Sequence, residues 1–286
     1  MPNPNTPNSH GRAFESVVVQ HILNAGATAG GKTKEFQARD TKHVVDLSAS
    51  VRTKFYRAAP KVVAWVQSQL GDLRSTEIER LGDEAEDVAD FVLVRSGAFV
   101  LRVSLKHNHD ALKHPRPYSI AQACGITKES PADRAHRAAL VVAVEPIRAV
   151  ARRTRIYLFA AHPKETQLCY DQVVRVCAIS LNSWLSGSDR SDDLFRFLVG
   201  SDFFKVILRS DAAGTIEVQD FRKIATPCSA VAAPRGAYLD VKFGNGWHVA
   251  LRIHNASSRI PTSEQAQVSL KFDAQLIQGK VSRVEL

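Results

Sequence analysis

Asp90 and Lys106 are the residues whose types and spacing most directly suggest chemistry in this chain of 286 residues. They bracket DFVLVRSGAFVLRVSLK, two apolar runs joined at Ser96-Gly97. A hairpin about that turn brings Asp90 back opposite roughly Val103 or Ser104. Strand side chains alternate, so Val100, Arg102, Ser104 and Lys106 share one face, and a carboxylate meets an ammonium at one end of a rigid sheet. Hydrolysis of a phosphodiester asks for a positioned metal, an activated water and a cation to offset charge on phosphorus. Magnesium prefers oxygen ligands and retains waters, so one or two carboxylates and a backbone carbonyl suffice. The expected catalytic set is Asp90, Ser104 and Lys106. The expected metal ligands are Asp90, the backbone carbonyl of Leu105 and a second carboxylate. Because position 104 is Ser, that second acid must come from elsewhere; Glu15 is the first candidate, followed by Glu77, Glu79 and Glu129.

These groups need a scaffold. Phe14, Val17, Val18, His21 and Ile22 recur at helical spacing, which puts Glu15 in the first turn of a helix ending at Asn24-Ala25-Gly26. From Val44 to Leu81 the pattern is again helical and predicts two helices broken near Pro60. An acidic loop spans residues 82–87. A helix is expected from Tyr118 to about Glu129, another from Asp133 to Arg155, a buried strand at Ile156–Ala160, and a helix from Tyr170 to Leu185. The Asp133–Arg155 helix has an apolar face of Leu140, Val141, Val144 and Ile147 and a basic ridge. The last third is strand-rich: Lys205–Leu208 with Thr215–Val218, then Leu239–Phe243 and Trp247–Ile253 about an Asn-Gly turn, then Ser269–Ile277. The fold class is α/β, a mixed sheet flanked by helices with a β-rich C-terminal region. The expected divisions are a disordered tail over residues 1–10, a core over 11–165, and a recognition region over 166–286.

Lys and Arg number 38 against 29 acidic residues, a formal charge of +9, which favours a polyanionic partner. No apolar run approaches the roughly 18 residues of a membrane helix. The four cysteines lie far apart, with no pair of the zinc-knuckle kind. These features suggest a cytoplasmic protein with reduced thiols and no membrane partner. One competing motif is present: Gly26 to Thr33, GATAGGKT, fits the letters of a phosphate-binding loop. That loop requires a buried strand before it and a helix after it. The preceding run reads as a helix, and KEFQARDTK has little apolar content, so a flexible connection is expected there.

The acid, the gap and the x-Lys at a strand end resemble the PD-(D/E)xK nuclease superfamily, and Phe14-Glu15 on an N-terminal helix resembles its metal-binding glutamate. Ala89 replaces the Pro of that pattern, and Ser104 the second acid. Longer stretches, VSLKHNHDALKHPR (103–116), GWHVALRIHNASSRI (246–260) and SLKFDAQLI (269–277), resemble the HaeIII-type restriction endonucleases. The resemblance implies a type II endonuclease that cuts double-stranded DNA with magnesium at a short palindrome, GGCC-like; cutting both strands of a palindrome needs two such sites, so a homodimer is expected, at least on DNA. It makes Lys106 the catalytic lysine. Asn108, His109, Lys113, His114 and Arg116 then follow the active strand toward DNA, and Arg252, His254, Asn255, Ser257, Ser258 and Arg259 form a second DNA-binding segment. Arg suits guanine edges, and contacts to phosphate are commoner still. A catalytically silent, sequence-specific DNA-binding protein is the alternative that Ser104 keeps open, with a nucleotide-binding protein using Gly26–Thr33 behind it.

Overall fold

The computed structural model describes residues 7–81, 88–108, 112–186, 190–211, 214–263 and 266–286. Among them the chain forms α1 (Pro7–Asn24), β1 (Thr28–Ala29), α2 (Gly31–Val45), α3 (Ala49–Leu70), β2 (Glu77–Arg80), β3 (Phe91–Arg95) and β4 (Ala98–His107). There follow α4 (Pro131–Thr154), α5 (Pro163–Leu185), α6 (Arg190–Val199), β5 (Phe204–Leu208) and β6 (Ile216–Asp220). The last strands are β7 (Ala230–Arg235), β8 (Tyr238–Phe243), β9 (His248–Asn255), β10 (Leu270–Gln278) and β11 (Ser282–Glu285). The class is mixed α/β, with one mixed sheet of seven strands and one antiparallel sheet of four.

Two compact units interleave along the chain. One comprises Met1–Asp110, Gly200–Ile224 and Val281–Leu286; the other comprises Ala111–Val199 and Ala225–Lys280. A contiguous division near residue 165 therefore does not describe the packing. The reason is strand pairing: β5 returns to lie parallel to β4, with Ser104 beside Lys205, and β11 pairs with β6.

The first unit holds the sheet ordered β1-β2-β3-β4-β5-β6-β11. Its hairpin turns at Ser96-Gly97, both with positive φ (52° and 77°), and Arg95 pairs with Ala98. Two positive φ values match the right-handed twist of the flanking strands, and glycine takes one of them without strain. Leu101, Val103 and Leu105 alternate toward a core built with Phe14, Val17 and Val18 of α1 and with Phe55, Val62 and Val66 of α3. Ser104 and Lys106 therefore belong to the other side of β4.

The second unit holds the sheet ordered β10-β9-β8-β7. One face packs on α5, where the Asn182 amide donates to the carbonyl of Ala232 and accepts from its N–H, both at 2.8 Å. Residues 112–115 run beside β10 through Leu112 N–H to Ala274 O (2.8 Å), Ala274 N–H to Lys113 O (2.9 Å) and Phe272 N–H to Pro115 O (2.8 Å).

Several expectations are corrected. α1 starts at Pro7, so residues 7–10 are helical rather than tail, and Glu15 lies mid-helix. KEFQARDTK is helical, within α2, despite its polarity, for reasons that belong to the site. The Val44–Leu81 segment is not two helices broken at Pro60. α3 runs through the proline, and Glu77–Arg80 is a strand. A proline removes the hydrogen bond to the residue four before it. Here that residue is Tyr56, 49% exposed, and for Pro146 inside α4 it is Val142, 73% exposed, so water can serve both carbonyls. Tyr118–Glu129 contains two short 3-10 turns rather than a helix, and Ile156–Ala160 is a loop and 3-10 turn joined to Arg259 by a single bridge at Leu158. Val141 faces solvent. The acidic loop at 82–87 lies outside the described residues.

The hairpin gives a paired test of core placement. Phe91 is 1% exposed and Phe99 67%. Phe91→Ala should cost roughly 3–5 kcal/mol by leaving a cavity, whereas Phe99→Ser should change stability by less than about 0.5 kcal/mol. Urea unfolding monitored by circular dichroism checks both; comparable losses would contradict the register.

Candidate active site

The Asp90 backbone is fixed on both sides. Its N–H donates to Val103 O (2.8 Å) and its carbonyl accepts from Leu81 N–H (2.9 Å). The side chain then closes on β4. Oδ2 accepts from Leu105 N–H (2.5 Å), Ser104 Oγ (3.1 Å) and Lys106 Nζ (3.2 Å), while Oδ1 has Lys106 Nζ at 3.5 Å. The expected pairing of Asp90 with the Ser104–Lys106 stretch is thus present. Charged acceptors make the stronger hydrogen bonds, and one oxygen is far more engaged than the other. Asp90 and Lys106 keep 21% and 24% side-chain exposure, so the pair opens to solvent.

Glu15 arrives from α1. Burial, and then the nearby charge of Asp90, push its carboxyl up to about 7, against the opposing influence of Lys106 and Arg80. Burial alone would pull Lys106 down. The charges of Asp90 and Glu15 and the bond to Asp90 outweigh it and hold the ammonium above its ordinary range. Three elements therefore place Asp90, Glu15 and Lys106 within reach of one another's fields.

Sequence reasoning missed what holds Glu15. Arg80 of β2, 3% exposed, donates to Glu15 Oε2 at 2.7 Å, and its other arm lies 3.0 Å from Asp40 Oδ2. Asp40 of α2 is fully buried and also takes Arg39 at 2.7 Å. Burial works against that carboxylate, yet the bond from Arg39 and the charges of Arg80, Arg39 and Arg12 hold its pKa below the usual range. Asp40 and Arg80 are separated by 40 positions in sequence, so no local motif announces them. The same pairing explains how polar α2 seats on the sheet. Thr33 Oγ1 adds a bond to Ile78 O (2.7 Å) and accepts from Arg80 N–H (2.8 Å).

The residues fit a hard divalent cation modestly. Glu15 and Asp90 supply two carboxylates of which one oxygen each is strongly engaged, and the Asp90 charge that adds to burial in raising Glu15 is one that a cation would offset. No cluster of three or more His, Cys, Asp or Glu suited to a metal occurs among the described residues; magnesium needs no such cluster, since it keeps several waters. Among the alternative acids, Glu77 and Glu79 stand at Gly30, and Glu129 belongs to the other unit.

Gly26–Thr33 does not make the strand-loop-helix of a phosphate-binding loop. α1 precedes it, and β1 falls inside the motif. At the N-terminus of α2 the Lys32 N–H meets Glu79 Oε1 at 3.3 Å, and a Cβ on Gly30 would stand 2.0 Å from Glu79 Oε2. A carboxylate thus occupies the place a phosphate would need.

The residues expected to touch DNA divide between the units. Asn108, exposed and with φ 54°, follows β4, and its backbone N–H donates to Leu208 O at 2.9 Å. His109 lies outside the described residues. Lys113, His114 and Arg116 fall in the second unit with Arg252, His254, Asn255, Ser257, Ser258 and Arg259. There His114 Nδ1 and His254 Nε2 lie 2.7 and 3.0 Å from Asp273 Oδ1, and Arg252 lies 3.5 Å from Oδ2. Asn255 is occupied internally: it accepts from Tyr170 (3.2 Å) and donates to Ser257 O (2.7 Å). Ser257 Oγ accepts from Arg259 N–H at 3.1 Å, and Ser258 O accepts from Phe159 N–H. Arg116, Ser258 and Arg259 are exposed.

The four cysteines are unpaired, and among the described residues no helix is long and apolar enough to cross a membrane. No family model, curated protein or solved structure matches the chain.

The raised Glu15 carboxyl has a measurable consequence. An unfolded chain releases this proton near 4.5, and the folded protein holds it to about 7. The folded state binds the extra proton in between, so the stability this group contributes is full below about 4.5 and falls as pH rises to about 7. In metal-free protein, Glu15→Gln should lose less stability than wild type between about pH 5 and pH 8 in chemical denaturation. Equal losses would contradict the burial and charge described for Glu15.

Proposed function

We propose that the chain is a magnesium-dependent endonuclease of the type II restriction kind, hydrolysing phosphodiester bonds in double-stranded DNA. The observation that carries this reading is the junction of Asp90 with Ser104, Leu105 and Lys106 at a partly exposed edge, with Glu15 brought alongside by Arg80. An acid at the start of one strand and an x-Lys on its antiparallel neighbour, in a mixed sheet flanked by helices, is the arrangement that the PD-(D/E)xK resemblance leads one to expect.

Asp90 and Glu15 would hold magnesium, with the Leu105 carbonyl as a further ligand. The ion when bound polarises a phosphoryl oxygen and makes a water more acidic. Lys106 stays charged at neutral pH because the charge and bond of Asp90, with Glu15 adding to them where it is ionised, outweigh burial. Its ammonium can donate to a non-bridging oxygen as negative charge grows there. Ser104 donates to Asp90 and, with the Leu105 N–H, fixes that carboxylate while Lys106 turns toward substrate. Arg80 fixes Glu15 in the same way. The products carry 5′-phosphate and 3′-hydroxyl. A short GGCC-like palindrome follows from the resemblance, and cutting both strands of a two-fold site calls for a homodimer on DNA.

Ser104 sustains a second reading, a sequence-specific DNA-binding protein without catalysis. Its hydroxyl stands where the second acid of the pattern would be and bonds to Asp90 instead of offering a carboxylate.

Digestion of supercoiled plasmid with and without magnesium separates the two. Wild type should give discrete fragments only with magnesium. Asp90→Ala and Lys106→Ala should each slow cleavage by at least about a hundredfold, in line with removing a group that stabilises transition-state charge. Undiminished cleavage in both variants would remove this site from the reading. Specific binding in magnesium with no fragments would favour the silent binder.

A further inference from the structure

The outer face of the four-stranded sheet carries a pattern that the active site does not use. Strand alternation sends Leu239, Val241, Leu251, Ile253 and Phe272 into the core of the second unit. Their neighbours point the other way. The register aligns Arg235 with Tyr238, Tyr238 with Arg252, and Arg252 with Asp273, one row across all four strands. At the strand spacing of about 4.8 Å this row is roughly 14 Å wide, on the scale of the roughly 12 Å major groove. Lys242 and Lys271 lie on the same face, Lys271 beside His254.

Four Lys/Arg (Arg235, Lys242, Arg252, Lys271) against two acids (Asp240, Asp273) leave the face formally at +2, before any histidine is protonated. Neither acid is presented bare. Asp240 takes Arg235 through two bonds (2.6 and 3.0 Å) and lies 3.3 Å from His248. Asp273 takes Arg252, His254 and His114. These pairings hold planar guanidinium and imidazole groups in place, which lowers the cost of ordering them on a partner. Arg235 also stacks 4.6 Å from the Tyr238 ring centroid. Lys242 and Lys271 have no ion-pair partner among the described residues. By contrast, much of the basic ridge of α4 is spent within the protein: Arg137 on Asp133, Arg152 on Glu145, and Arg134 and Arg148 on backbone carbonyls.

We infer that this sheet face docks the phosphodiester backbone of duplex DNA. His114, from the stretch that follows the catalytic strand, and Arg252 and His254, from the late stretch, meet on it at Asp273. The inference rests on the reading of DNA as the partner, and it adds Arg235, Lys242 and Lys271 and assigns the surface to phosphate binding rather than to base reading. Neutralising phosphates releases counterions, so affinity should fall steeply with salt.

The test is fluorescence anisotropy of a labelled mixed-sequence duplex with the full chain in EDTA, where magnesium-dependent cleavage is silent. The exposed or half-exposed Lys242, Arg252 and Lys271 are changed together to Ala, and folding is checked by circular dichroism. Affinity should fall at least about tenfold, and the plot of log K against log salt should become shallower by about 0.9 for each phosphate no longer neutralised. A control removes three exposed cations from α4 and α5, Arg153, Lys164 and Arg175, and should bind nearly as wild type. Unchanged affinity and slope in the sheet variant, an equal loss of affinity in the control, or preference for single-stranded RNA over the duplex would overturn the inference. Asp90→Ala, which removes a carboxylate from the metal-free cleavage site, should bind no more weakly than wild type. Plasmid cleavage that is abolished in Asp90→Ala yet persists with the sheet face neutralised would leave the nuclease reading standing while this surface falls.

Discussion

The Asp90 carboxylate is the constraint on which the first unit's site depends. One oxygen accepts from a backbone amide, a hydroxyl and an ammonium that belong to three successive residues of β4. Successive strand residues point to opposite faces, so their side chains cannot all converge on one atom. The solution is that Leu105 contributes its backbone N–H while its side chain enters the core, leaving Ser104 and Lys106 to approach from the other side. Asp90 can do this because it is itself pinned between Leu81 and Val103 at the end of β3. Sliding the hairpin by one residue would exchange core and site faces of β4 together, so the same register that buries Val103 and Leu105 also builds the carboxylate-lysine pair.

The second level of organisation is the chain Asp40–Arg80–Glu15. A buried guanidinium between two carboxylates is costly to desolvate and costlier to break. Its justification here is geometric more than energetic. Arg80 sits on a short strand and reaches two helices that precede it in sequence, so one planar fork fixes how α1 and α2 lie against β2. Asp40 takes Arg39 as well as Arg80, so two guanidinium groups face that one carboxylate. Burial and then the charge of Asp90 raise Glu15 against the pull of Lys106 and Arg80. At Asp40 the bond from Arg39 and the charges of three arginines outweigh burial, so the two carboxyls shift in opposite directions although both touch the same arginine.

The hairpin was legible in the sequence because its signals are local. Ser96-Gly97 marks the turn and two apolar runs flank it, so the placement of Asp90 opposite Val103 or Ser104 could be read from that one short stretch and is met by the Asp90–Val103 bond. β8 and β9, about their Asn-Gly turn, were legible for the same reason. What escaped depends on distant partners. β2 is EIER, a short run rich in charge that looks like the tail of a helix; only the burial of Ile78 and Arg80 against α1 and α2 makes it a strand. α2 escaped because its seat on the sheet is made by Asp40 and Thr33 rather than by apolar side chains. Pro60 carries a local cost that its neighbours in sequence do not offset; the seven buried residues of α3 that hold the helix on the sheet do. α6 did carry a signal, Asp192-Asp193 in its first turn ahead of Leu194, Phe195, Leu198 and Val199.

The interleaving of the two units follows from one topological choice. A parallel neighbour for β4 cannot be reached by a tight turn and requires a long crossover. Here the crossover runs from residue 108 to β5 and carries α4, α5 and α6 of the second unit. The four-stranded sheet is then completed by residues that follow β6, before β11 returns to pair with β6. The stretch just after Lys106 therefore begins at the end of β4 and reaches β10, where Lys113 O and Pro115 O accept from Ala274 and Phe272. A linear motif that reads as one active segment is in physical terms a bridge. Its first half is bound to Asp90, its second half to the sheet that presents Asp273, Arg252 and His254. For a nuclease reading this matters because Lys113 and Pro115, a few residues beyond Lys106, are hydrogen-bonded to β10 of the second unit rather than to the strands that hold Asp90. The hydrogen bonds of residues 112–115 tie that part to the second sheet, and the phosphate-binding role proposed for that sheet uses the geometry they have.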